Sequence, residues 1–109
     1  MNWNTLTTEE QWQAILQLSN TKPQLVYKHS TRCSISSVVK SRLERSWKPT
    51  DIDFHFLDLI ANRSVSNKIA EDMNIRHESP QVLLIKNGVC VYNESHGAIM
   101  MDEIIAEAA

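Results

Sequence analysis

Two rhythms of apolar and polar positions run along the chain. Near the N-terminus Trp12, Ile15, Leu16 and Ser19 fall on one face at helical spacing. Thr7 and Glu10 have the spacing of a capping box that starts such a helix, and Asn20 and Pro23 end it. Gln24 to His29 is a short apolar run and reads as a buried strand. The polar loop Ser30-Thr31-Arg32 follows. Beyond it Ile35, Val39, Leu43 and Trp47 recur every four residues, with Val38 beside them. That pattern predicts a helix with one buried stripe, Lys40, Arg42, Glu44 and Arg45 outside, and an end at Pro49.

The second half repeats the scheme. Asp53 to Leu59 alternates imperfectly, which suits a strand covered on both faces. Val65, Ile69 and Met73 predict a helix from about Asn62 to Met73. Pro80 precedes the strand Val82-Leu83-Leu84-Ile85, and Asn87-Gly88 is a hairpin signal that returns the chain as Val89 to Tyr92. Gly97 marks a turn before a final helix with Met101, Ile104, Ile105 and Ala108 on one face. Strands separated by helices run parallel, and the hairpin is antiparallel. The expected architecture is α/β: a mixed four-stranded sheet, two parallel strands plus the antiparallel hairpin, with helices on both faces.

Composition narrows the picture. A chain of 109 residues is expected to form a single domain, residues 1–109, around one core. Its net charge of −2 includes no basic block, so nucleic acid is not an expected partner. No apolar stretch has the roughly 20 residues of a membrane helix, and Met1-Asn2-Trp3-Asn4-Thr5 is not the start of a signal peptide. A cytoplasmic location is expected, where the two cysteines would be thiols.

Cys33 is the candidate nucleophile. It stands where the polar loop opens a helix, and helix N-termini favour anions, the thiolate included. Arg32 adds a neighbouring cation, and the Ser34 and Ser36 hydroxyls can donate to the sulfur. Free cysteines are often inert core residues. Here the polar loop before Cys33 argues for exposure. Cys90 follows the hairpin turn by two residues, which places it on the order of 15 Å from the end of the sheet that carries Cys33, too far for a disulfide. The same geometry returns His96 and Gly97 to the neighbourhood of Pro80, with His77 three residues before it. The simplest reading of either imidazole is a polar surface group, and His29 and His55, inside strands, read as structural. No C-x-x-C or zinc spacing exists, so no metal is expected.

A cysteine after the first core strand and a proline before the third give this plan a resemblance to the thioredoxin fold. Lys28 to Ser36, His77-Glu78-Ser79-Pro80-Gln81 and Ser95-His96-Gly97 resemble the monothiol bacilliredoxin family more closely. The family motif is Thr-Cys-Pro-Ile-Ser. Cys33, Ile35 and Ser36 match it, while Arg32 and Ser34 replace the threonine and the proline.

The resemblance implies a thiol–disulfide oxidoreductase. Its co-substrate would be bacillithiol, with no bound cofactor. Its partners would be proteins carrying mixed disulfides, a small thiol, and a reducing redoxin or reductase. It implies a cis Ser79–Pro80 bond facing Cys33, with Ser79 offering backbone groups to an extended substrate. It also puts Ser36 where two-cysteine enzymes of this fold carry a second thiol, which makes the site monothiol. A substrate-side role for His96 and Gly97, and an Arg32 contact to the carboxylates of the small thiol, complete the expectation. Two competitors remain on the same fold: a protein-binding module without turnover, and a cluster-binding monothiol redoxin. The latter family's Cys-Gly-Phe-Ser motif fits Cys33-Ser34-Ile35-Ser36 poorly.

Overall fold

The computed structural model describes residues 1–109. The elements in chain order are β1 (Trp3–Thr5), α1 (Glu9–Leu18), β2 (Gln24–His29), α2 (Ser34–Ser46), β3 (Asp53–Asp58), α3 (Arg63–Met73), β4 (Gln81–Lys86), β5 (Val89–Ser95), a 3₁₀ turn (His96–Ala98) and α4 (Met101–Ala108). The strands form one mixed sheet in the order β1-β3-β2-β4-β5. β3 is parallel to both β1 and β2, while β4 is antiparallel to β2 and to β5.

The sheet has five strands, not the four expected, because Trp3–Thr5 adds an edge strand beside Phe54–Phe56. Three residues are too few to show a strand period, so only pairing with β3 defines them as one. The first helix also starts one residue later than expected. Thr8, not Thr7, is the cap: its hydroxyl accepts from the Gln11 N–H, while the Gln11 side chain accepts from the Thr8 N–H. Glutamine fills the third helical position as well as glutamate does.

Two apolar clusters fill the two faces of the sheet. Leu25, Tyr27, Phe54, Val82 and Leu84 pack under Val39, Leu43 and Ile104 of α2 and α4. Val26, Leu57, Leu83 and Ile85 pack under Trp12, Ile15, Val65 and Ile69 of α1 and α3. Alternate residues of β2 and β4 thus serve opposite faces, the arrangement of strands buried on both sides. The stripe on α2 is narrower than its spacing implied. Val39 and Leu43 are buried, but Ile35, Val38 and Trp47 are exposed, and Ser36 takes a core position. Trp47 stands outside the helix, as its extended C-cap after Ser46.

The ends of the sheet are set by backbone conformation. Asn87 and Gly88 both have positive φ, 53° and 76°, as a two-residue hairpin turn of type I′ requires. This turn is tied down at the far end of the molecule: the Asn87 N–H donates to the Ser19 carbonyl and the Gly88 N–H to the Ser19 hydroxyl. At the opposite end β2 runs out into the Cys33 loop, and the Ser79–Pro80 peptide, which is cis as expected, leads into β4.

Candidate active site

Cys33 caps α2. Its backbone is extended, φ −116° and ψ 110°, and its side chain makes no capping hydrogen bond. The loop that delivers it is held by the Cys33 N–H donating to the Ser30 carbonyl and the Arg32 N–H donating to the Ser30 hydroxyl. Ser30 itself is buried, so the loop hangs from a fixed post. Cys33 is half-buried and free. The N-terminus of α2, the positive end of its dipole, stands at this residue.

Beneath the thiol lies a closed polar network. The Ser36 hydroxyl sits 2.7 Å from His29 Nδ1 and 3.3 Å from the Tyr27 hydroxyl, and it accepts from the Ser30 N–H. Tyr27 donates its proton to the Ser36 carbonyl at 2.7 Å. Burial pushes the Tyr27 phenol up to about 12, against the opposing Ser36 bond and with a further push from the Cys33 charge, so it stays a donor. Burial holds the His29 imidazole below its usual range, with Asp58 opposing, so at neutral pH it is uncharged. The bond between Nδ1 and the Ser36 hydroxyl is thus one between two neutral groups, each able to give or take the proton. This corrects the expected role of Ser36. Its hydroxyl binds His29, Ser30 and Tyr27, and none of its bonds goes to the sulfur.

The other expected site residues fall into two groups. Arg32 and Ser34 are exposed on either side of Cys33, with no ion pair formed by the guanidinium. Ser79, Pro80, His96 and Gly97 come together through the β4–β5 ladder. Gln81 pairs with Ser95, and the His96 N–H donates to the Pro80 carbonyl at 2.9 Å. His96 Nε2 lies 2.8 Å from a Glu78 carboxylate oxygen, and the residue has a left-handed φ of 58°. Gly97 lies against the first turn of α2: a Cβ there would stand 3.8 Å from Ile35 Cδ1. The 3₁₀ turn therefore borders the Cys33 helix. Ser79 Oγ is buried without a partner.

On the other face of β2, Lys28 is fully buried. Its ammonium donates to the Ser66 carbonyl at 3.0 Å and lies 3.5 Å from His77 Nδ1. Burial pushes it down to about 8, and no carboxylate pairs with it. His77 is held below its usual range, first by burial and then by the Lys28 charge. Neither the burial of this lysine nor its link to His77 was visible in the sequence, where Lys28 looked like one polar residue within an apolar run.

Cys90 is free and sits opposite Ile85, itself opposite Gln24. Five strand residues separate Gln24 from His29, about 16 Å. The two sulfurs therefore lie toward opposite ends of the sheet, as the hairpin geometry requires. A concavity of about 760 Å³ also lies at the far end, between Pro23, Pro49, Ile52, Lys86 and Ala109. It holds no thiol, and its distance from Cys33 separates it from the chemistry. No three His, Cys, Asp or Glu side chains converge, and no helix is long and apolar enough to cross a membrane.

A thiol at the start of the helix after the first core strand, at the same end of the sheet as a cis proline, on a sheet of this topology, defines a thioredoxin-fold redox protein. Solved structures agree. A protein assigned as an oxidoreductase with a thioredoxin fold is similar over 96% of this chain and 92% of its own, at 28% identity and a TM-score of 0.84. The thioredoxin of Fasciola hepatica matches over 97% and 99% at 17% identity and a TM-score of 0.79. The oxidised thioredoxin of Plasmodium falciparum matches over 99% and 100% at 20% identity and 0.77. At such identities these two thioredoxins bear on the fold alone. The family is given by residues 4–104, which match the model of the monothiol bacilliredoxin BrxC. The chain belongs to that family, and its thiol chemistry is redox chemistry.

Proposed function

We propose that this protein removes a low-molecular-weight thiol, bacillithiol, from protein mixed disulfides through Cys33. The thiolate attacks the sulfur of the small thiol. A bond forms between Cys33 and that sulfur, the client's disulfide bond breaks, and the client leaves as a thiolate that takes up a proton. A second small thiol then attacks the Cys33 adduct. It leaves as the small-molecule disulfide, and the Cys33 thiolate is restored; a reducing redoxin or reductase can take the same step. One disulfide is consumed and one is formed: the client sulfur is reduced to a thiol, the incoming small thiol is oxidised into the small-molecule disulfide, and the transferred sulfur stays at the disulfide level. No bound cofactor enters.

The observation that carries this reading is the commitment of Ser36. The position that would hold a resolving thiol is filled by a hydroxyl locked to His29, Ser30 and Tyr27. With Cys90 toward the opposite end of the sheet, across a strand span of about 16 Å from Gln24 to His29, Cys33 has no internal partner and must hand its adduct to an outside thiol. Arg32 supplies a free cation for carboxylates of the small thiol, and the Ser79 backbone beside Pro80 supplies pairing groups for the client. The free state of both cysteines fits a reducing compartment such as the cytoplasm.

The test is direct. Bacillithiolated client protein is incubated with the wild type and with Cys33→Ser, and both client release and the mass of the Cys33 adduct are followed. Transfer by the wild type alone supports the reading. No transfer at physiological thiol levels sinks it in favour of a binding module without turnover. A parallel glutathionylated client identifies the thiol preferred.

A further inference from the structure

The wall beside Cys33 is a segment that does little to hold itself. The 3₁₀ turn has one closing bond, the Ile99 N–H to the His96 carbonyl at 3.5 Å, and it starts at a left-handed histidine, a conformation unfavourable for a residue with a Cβ. Support comes from two sides. On one, the His96 N–H reaches the Pro80 carbonyl. On the other, Arg42 of α2 donates through Nη2 to the Gly97 carbonyl at 2.9 Å and to the Ile99 carbonyl. Arg42 takes part in no ion pair, and its Nε is buried without a partner. The guanidinium is thus committed to two carbonyls of this segment. Charge-assisted bonds of this kind are the strong ones.

Arg42 stands nine residues after Cys33, about 13 Å further along the helix axis, and cannot touch the sulfur. Its reach is through the segment it holds. Gly97 abuts Ile35, two residues past Cys33, so the stretch anchored by Arg42 is the one that borders the reactive turn.

We propose that Arg42 is a positioning residue for the reaction at Cys33: it holds the His96–Ile99 segment against α2 as the wall that receives the small-thiol half of the mixed disulfide. The proposal rests on the reading of function given above. It separates two properties of the site. Reactivity of the sulfur belongs to the N-terminus of α2 and does not need Arg42. Recognition of the small thiol needs the wall and therefore needs Arg42.

The test uses the full chain with Arg42→Met and Arg42→Lys, each checked for a native circular dichroism spectrum. Three quantities are read: kinetics of thiol removal from a bacillithiolated peptide, the rate of Cys33 alkylation by iodoacetamide, and amide hydrogen exchange across residues 96–99. For Arg42→Met the expected result is a KM raised about five- to tenfold, with kcat and alkylation within about twofold of the wild type and faster exchange in the segment. Arg42→Lys, which can reach one carbonyl, recovers part of the KM. An unchanged KM in Arg42→Met overturns the proposal, as does a fall in alkylation equal to the loss of turnover, which would mark a general structural role. Wild-type protein that alkylates normally but transfers no thiol overturns the reading of function and this proposal with it. Wild-type turnover with an unchanged KM in the variant overturns the role of Arg42 alone.

Discussion

The two cysteines occupy opposite ends of one sheet, and their surroundings have little in common. Cys33 caps a helix, makes no side-chain capping bond, and hangs from a buried serine in a polar loop. Cys90 lies in a strand, its thiol donating to the Tyr92 carbonyl at 3.3 Å, and burial pushes that thiol up. Both are half-buried and both are free. Exposure therefore does not distinguish them. What differs is their place in the fold: Cys33 stands at the N-terminal, positive end of a helix dipole, while Cys90 lies within a strand whose burial outweighs the backbone bonds at its sulfur. Burial works against a thiolate at Cys90.

The sharpest break of this comparison is by substitution. Cys33→Ser should abolish thiol transfer, a loss of at least about a thousandfold, and Cys90→Ser should leave the rate within about twofold. A large loss in Cys90→Ser, measured with a mixed-disulfide client, would mean that the far end takes part.

The ends also differ in buried charge, since Lys28 lies toward the active end without a carboxylate. Its folded value of about 8 is below the unfolded value near 10.5, so over that interval the unfolded chain binds a proton that the native chain has shed. Stability carried by Lys28 should therefore rise as pH goes from 8 to 10. Relative to Lys28→Met the gain should be on the order of 2 kcal/mol, read by urea unfolding. The window stops at 10 because Tyr27, pushed up to about 12, works in the opposite sense above that pH. A flat difference between the two proteins would show that Lys28 reaches water.

Next in size is Ser36→Ala. It strands His29 Nδ1 and the Ser30 N–H in the core and should destabilise the fold by about 1–3 kcal/mol in chemical denaturation. Alkylation of Cys33 should change less than about threefold, since the hydroxyl does not serve the sulfur. A loss of reactivity larger than the loss of stability would restore Ser36 to the thiol. The smallest effect belongs to Thr8→Ala, which removes a cap remote from both sulfurs. It should cost about 1 kcal/mol of stability, seen as a lower urea midpoint, with no change in transfer rate.

Most of the frame was legible because it rests on local periodicity. The α3 boundaries, the β2 strand, the Asn87-Gly88 turn and the cis Ser79–Pro80 bond all stand where spacing or resemblance put them. The departures share a cause. The Trp3–Thr5 strand, the core position of Ser36 and the burial of Lys28 depend on residues from distant elements arriving beside them. A helical stripe says which residues share a face, but not which of them another element covers or where the helix stops, and so Ile35, Val38 and Trp47 read as core while the fold exposes them. The thiol's location was legible from the loop before it. The anchoring of the opposite wall by Arg42 was not, because an arginine on a solvated helix face looks the same whether or not a loop returns to it.

The added first strand gives the molecule a built-in optical probe. Trp3 packs 5.7 Å from the Tyr27 ring and about 6 Å from Phe54 and Phe56, and its indole N–H donates to Glu44. Tyr27 is the residue whose hydroxyl reaches Ser36 beneath the reactive sulfur. An indole in contact with that ring is placed to change its emission when the packing under Cys33 changes. Trp12 is sealed in the opposite cluster and Trp47 stands at the end of α2, so the redox-linked part of the fluorescence can be assigned to Trp3 by replacing the other two.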